Sequence, residues 1–97
     1  MTKVRSLDIA ELLDSEEMIA EYLQAAAQDP NPDVFLTALG DVARARGMSQ
    51  LAKDTGLGRE SLYKALVPGG NPTYTTLNKI MTSLGVRLSA QPIAVQS

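Results

Sequence analysis

Along this chain the apolar positions gather into helical stripes separated by short breaks of Pro, Gly and Asn. Met18, Ile19, Tyr22, Leu23 and Ala26 lie on one stripe, while Glu16, Glu17, Glu21, Gln24 and Gln28 occupy the rest, which predicts an amphipathic helix over 16–27. Asp14 or Ser15 caps it, and Glu17 is placed to complete a capping box from Asp14. Asp29-Pro30-Asn31-Pro32 breaks the chain. Asn31 suits an N-cap and Pro32 the first helical position, so a second helix is expected over 32–46, stopped by Gly47. Its core face is Phe35, Leu39, Val42 and Ala43, and its last turn carries Arg44 and Arg46, where the helix dipole favours cations.

Shorter elements follow. One helix is expected over 48–55, closed by Gly56, and another over 59–66, before the loop Pro68-Gly69-Gly70-Asn71-Pro72. Thr75 or Thr76 caps a last helix to Leu84, whose apolar residues Leu77, Ile80, Met81 and Leu84 recur at helical spacing. Residues 86–90 alternate apolar and polar as a short strand does, and Pro92 ends it. The edges of such a strand need a partner, either Val4–Leu7 or a second subunit.

Composition narrows what these helices do. The chain has 97 residues, enough for one small domain, and neither His nor Cys. That removes the His-based and Cys-based catalytic constellations and soft zinc sites, and Asp54 and Glu60 sit on exposed turns without an apolar pocket. An enzyme is not expected, nor is any metal or cofactor. No apolar stretch reaches signal-peptide or membrane-spanning length, so a soluble, cytoplasmic protein without membrane contact is expected. The formal net charge of −2 conceals a division. Residues 1–33 set two cations against eight carboxylates, −6, whereas residues 34–97 set seven cations against three carboxylates, +4. The basic part suits a polyanion such as DNA, and the acidic part suits either a cationic protein or simply water.

The stretch Met48 to Val67, MSQLAKDTGLGRESLYKALV, has the spacing that two crossing helices need. Ala52 is small at the crossing, Gly56 takes the positive φ of the turn, and Leu51, Leu57 and Leu62 are spaced to bury together. It resembles the DNA-binding helix-turn-helix, and with its neighbouring helices it is similar to the phage-repressor (Cro/CI-like) class. The fold expected is therefore all-α, five helices in a phage-repressor-like arrangement with a short C-terminal strand: one in an acidic N-terminal extension over 1–30, the others in the helix-turn-helix domain over 31–97. Two positions depart from the usual pattern. Gly58 stands where a Ser or Thr cap opens the second helix, and Thr55 where an aliphatic side chain is commonly buried.

At about 100° per residue, Leu62, Ala65 and Leu66 face inward on the second helix, and Glu60, Tyr63, Lys64 and Val67 face outward. In that class the second helix enters the major groove, which makes Arg59 and Lys64 candidates for guanine or phosphate contacts and Tyr63 for a phosphate or a thymine methyl. Glu60 either accepts from cytosine or pairs with Lys64 one turn on. Ser49 and Gln50 open the first helix of the pair and are candidate phosphate contacts. Thr73 and Thr75, with Thr76 nearby, either hold a second phosphate or cap the next helix.

Beyond that motif, residues 4–92 resemble the addiction-module antidotes of toxin–antitoxin systems, related to the HigA-type antitoxins. The resemblance is carried by Tyr22-Leu23, Asn31-Pro32-Asp33-Val34-Phe35, Ala43-Arg44-Ala45-Arg46-Gly47, Arg59-Glu60-Ser61-Leu62-Tyr63-Lys64-Ala65-Leu66, Gly70-Asn71-Pro72 and Leu84-Gly85-Val86-Arg87-Leu88. It implies an antitoxin that binds a RelE/HigB-like RNA-cleaving toxin and represses its own operon as a homodimer on a palindromic operator. Asp14, Glu16, Glu17 and Glu21 are then the candidate toxin-binding residues, because a protein that holds RNA presents a basic surface. The alternative is a phage-type repressor with no toxin partner.

Overall fold

A computed structural model describes residues 15–93, which form five helices: α1 Glu16–Ala27, α2 Pro32–Arg46, α3 Met48–Thr55, α4 Arg59–Ala65 and α5 Tyr74–Ser83. The starts of α1 and α2 are capped by side chains. The Ser15 hydroxyl accepts from the Met18 N–H, and the Asn31 side-chain oxygen Oδ1 accepts from the Asp33 N–H, with Pro32 at the first helical position. The candidate cap Asp14 and the candidate pairing segment Val4–Leu7 lie outside the described residues.

Helix α2 is the centre of the molecule. Leu36, Ala38, Leu39, Gly40, Val42 and Ala43 are all buried on it, a wider face than the stripe Phe35, Leu39, Val42 and Ala43 alone. It packs against α1 and α3, and α3 packs in turn against α4 and α5. Ile19, Leu23, Leu51, Leu62, Leu66, Ile80 and Leu84 complete one continuous core. Full burial of each large side chain stabilises the fold by about 1.5–3 kcal/mol before conformational entropy is counted.

Four expectations need correction. Met18 is exposed, because it lies about 90° from the centre of the stripe formed by Ile19, Tyr22, Leu23 and Ala26. The second helix of the crossing pair ends at Ala65 with Leu66 as its C-cap. Neither Thr75 nor Thr76 caps α5, since the Thr73 hydroxyl accepts from the Thr76 N–H and donates to the Thr76 hydroxyl, starting the helix at Tyr74. Leu84 is the C-cap of that helix. Among the described residues there is no strand at 86–90. The alternation instead lays Val86 and Leu88 against the helical core, so the period of two marks which side is covered without a ladder being made.

Two tertiary constraints fix how the helices meet. Asp33, in the first turn of α2, accepts from the Gly69 N–H at 2.8 Å and ties the loop after α4 to α2. At Gly40 the helices approach so closely that a Cβ would sit 2.8 Å from the Leu66 carbonyl oxygen. Elsewhere in a helix Gly→Ala gains up to about 1 kcal/mol, but overpacking against a backbone carbonyl costs about 1–3 kcal/mol. Gly40→Ala is therefore expected to destabilise the fold by up to about 2 kcal/mol, lowering the thermal midpoint by several degrees. A raised midpoint in circular dichroism melts would refute this packing.

Candidate nucleic-acid interface

The α3–α4 pair is built around a turn that uses Gly56 in the left-handed region, φ 76° and ψ 7°. Its N–H returns to the Ala52 carbonyl at 2.9 Å and closes α3. Thr55, the polar residue at a customarily aliphatic position, is buried but satisfied. Its hydroxyl donates to the Leu51 carbonyl at 2.8 Å and accepts from the Leu57 N–H at 3.2 Å, holding the end of α3 and the start of the connection together. Gly58 occupies the N-cap of α4 at φ −74° and ψ 153°, a conformation open to any residue, and supplies no side-chain cap. Leu51 and Leu62 are buried, with Leu57 and Ala52 packed beside them, as their spacing predicts.

This crossing turns the other side of α4 outward. Arg59, Glu60, Tyr63 and Lys64 are all exposed, and the Arg59 guanidinium lies 5.9 Å from the centroid of the Tyr63 ring. A cation over an aromatic face at this distance gains about 0.5–1 kcal/mol at an exposed site and restricts the rotamers of a long side chain. The Glu60–Lys64 pair is not made. The ion pair among the described residues is Arg44–Asp41 at 3.4 Å, so Arg59 and Lys64 hold no carboxylate.

The remaining candidates divide. Ser49 is exposed in the first turn of α3, whose N-cap Gly47 offers no side-chain acceptor. Gln50 is exposed but engaged: its Nε2 donates to Asp54 Oδ1 at 2.9 Å, and Ser83 donates to Asp54 Oδ2 at 3.5 Å. Asp54, which sequence reasoning placed in no binding role, thus orients Gln50 and links α3 to α5. Thr73 is committed to its cap, and Thr75 is exposed two residues further on. Lys53 and Lys79 are further exposed cations on α3 and α5.

A second, acidic surface runs along α1. Glu16, Glu17 and Glu21 are exposed and unpaired with any cation among the described residues, while Asp14 lies outside them. Glu16 differs from the other two. Its side chain lies across Gly85, where a Cβ would come within 2.8 Å of Glu16 Cγ, Cδ and Oε2. Among the described residues no helix is long and apolar enough to cross a membrane.

These features define a small all-α protein with two chemically distinct surfaces, one of exposed cations on a short helix pair and one of carboxylates on α1. The chain belongs to the family described as "Probable addiction module antidote protein", whose sequence pattern matches residues 3–92. A relative from Haemophilus influenzae, described as an uncharacterized protein, is 48% identical over 89 residues, 92% of either chain. No solved structure matches the chain.

Thr55→Val tests the geometry of the turn. It removes the acceptor of the Leu57 N–H while preserving shape, and the expected cost is about 1–2 kcal/mol in denaturant unfolding. Wild-type stability in that variant would show that the hydroxyl contributes nothing to the turn.

Proposed function

We propose that this chain is the antitoxin of a type II toxin–antitoxin module, binding a RelE/HigB-like RNA-cleaving toxin through α1 and repressing its own operon through α3 and α4. The observation that supports it most directly is membership of the antidote family over nearly the whole chain. In this reading α3 and α4 act as a helix-turn-helix of the phage-repressor type, with α4 in the major groove and the amino end of α3 on the phosphate backbone. Arg59, held against Tyr63, and Lys64 carry the positive charge on the exposed side of α4. Ser49, Gln50, Thr75 and Glu60 supply polar contacts around them. One α4 covers a half-site of a few base pairs, so two copies act on a palindromic operator. The acidic extension over 1–30 and the domain over 31–97 work as one unit, which the packing of α1 on α2 supports.

The experiment is co-expression with the product of the neighbouring gene, purification of any complex, and gel shifts on the DNA upstream of the operon. Arg59→Ala is expected to weaken specific binding by about 1–3 kcal/mol if it reads a base edge. Lys64→Ala is expected to weaken binding to all sequences and to reduce the salt slope by about 0.9 if it contacts one phosphate. Affinities insensitive to salt and to both changes would remove DNA from the proposal.

The acidic surface makes a separate prediction. Replacing Glu16, Glu17 and Glu21 together by Gln keeps size and helix propensity but deletes three charges, and it is expected to weaken toxin binding while leaving operator binding intact. Unchanged toxin affinity, measured by calorimetry, would rule out α1 as the electrostatic contact.

A further inference from the structure

A concavity lies away from the α3–α4 pair. It is a groove of about 580 Å³ between α1, Phe35 of α2, Met81 of α5 and the segment 86–93. Ala20, Leu23 and Ala27 form its α1 wall and Leu88 faces them. Gln24 donates to Gln91 Oε1 at 3.5 Å, spanning from α1 to the C-terminal segment. The volume falls within the roughly 300–1,000 Å³ of clefts that enclose a ligand-sized group.

We infer that this groove seats an apolar side chain of the toxin, flanked on that toxin by Lys or Arg, so that the acidic residues of α1 are the rim of a binding site rather than its whole. The inference rests on the antitoxin reading given above. At about 100° per residue, Ala20, Gln24 and Ala27 form one stripe of α1, and Glu17 and Glu21 flank it on the side away from the buried Ile19 and Leu23. An apolar floor with a charged edge is the anatomy of a specific protein contact, in which the buried anchor carries affinity and the rim carries orientation and rate. Arg87 lines the other side of the groove and fixes polarity: the partner's cations lie towards α1, and its neutral or acidic groups towards the C-terminal segment.

A second copy of this chain fits less well. A two-fold contact through the groove brings the same patch against itself, so the single Arg87 of each copy meets both Glu17 and Glu21 of the other and the contact keeps a net negative charge. DNA is excluded from it by the same carboxylates.

The test uses the full chain and the purified product of the neighbouring gene as probe. Ala20→Trp and Ala27→Trp both start from exposed positions, so each indole fills the groove without entering the core. Each is expected to weaken binding of that product by about tenfold or more with the salt slope kept, whereas Glu17→Gln with Glu21→Gln is expected to flatten the slope. Melting curves and operator binding identify a variant that has lost its fold, and the other Trp variant then decides. Wild-type chain that fails to bind the neighbouring product overturns the antitoxin reading and this inference together. Wild-type chain that binds, with both folded Trp variants binding equally well, overturns the groove alone. Trp variants that alter the oligomeric state of the chain but leave the affinity unchanged assign the groove to a second copy and overturn the inference as well.

Discussion

The burial of Leu51 against Leu62 across a turn that passes through a left-handed glycine governs where the exposed cations lie. A three-residue connection leaves no slack: once Leu62 is buried, helical geometry turns Glu60, Tyr63 and Lys64 to solvent. Thr55 shows how strict the closure is. A hydroxyl buried at such a point costs free energy unless both its roles are satisfied, and here the Leu51 carbonyl and the Leu57 N–H satisfy them. The polar residue that departs from the aliphatic pattern therefore acts as a local staple.

Net charge is a poor guide to such a molecule. A chain at −2 is repelled by a polyanion only if its charges are seen together, and the Debye length of about 8 Å at physiological salt means that they are not. Among the described residues Arg59 and Lys64 hold no carboxylate and the three glutamates of α1 hold no cation, so neither set is neutralised by them. Each surface presents its own field to an approaching partner. Arg59 is further restrained by Tyr63, which lowers the entropy lost when a guanidinium is ordered on a ligand.

Much of this architecture was legible because short-range chemistry marks it. Asn31-Pro32, Gly47 and Gly56 set boundaries through capping and dihedral preferences that act within a few residues, and the structure places them where those preferences demand. What was not legible depends on contacts distant in sequence. The Asp33–Gly69 hydrogen bond spans 36 residues, the close approach of Gly40 to Leu66 spans two helices, and neither has a periodicity to betray it. The alternation at 86–90 correctly marked one covered side, but the covering surface is helical. Likewise the exposure of the candidate contacts followed from the helical wheel, whereas the diversion of Gln50 to Asp54 and of Thr73 to its cap required coordinates. The groove was invisible for a related reason: Ala20 and Ala27 read as neutral helix surface until Phe35, Met81 and Leu88 are brought around them.

The placement of the two surfaces bears on whether they influence one another. They are joined by α2, which packs on α1 at one side and on α3 at the other through fully buried residues such as Leu39 and Val42. Continuous packing is not itself coupling. A partner on α1 changes affinity at α4 only if it favours one of two arrangements of the intervening helices. A core this continuous, with a glycine at van der Waals limit against Leu66 and a turn pinned by Thr55, gives α3 and α4 little room for a second arrangement. On these grounds the surfaces act independently within one chain, and any linkage between partners held at them arises from how whole chains are assembled rather than from a shift inside the fold.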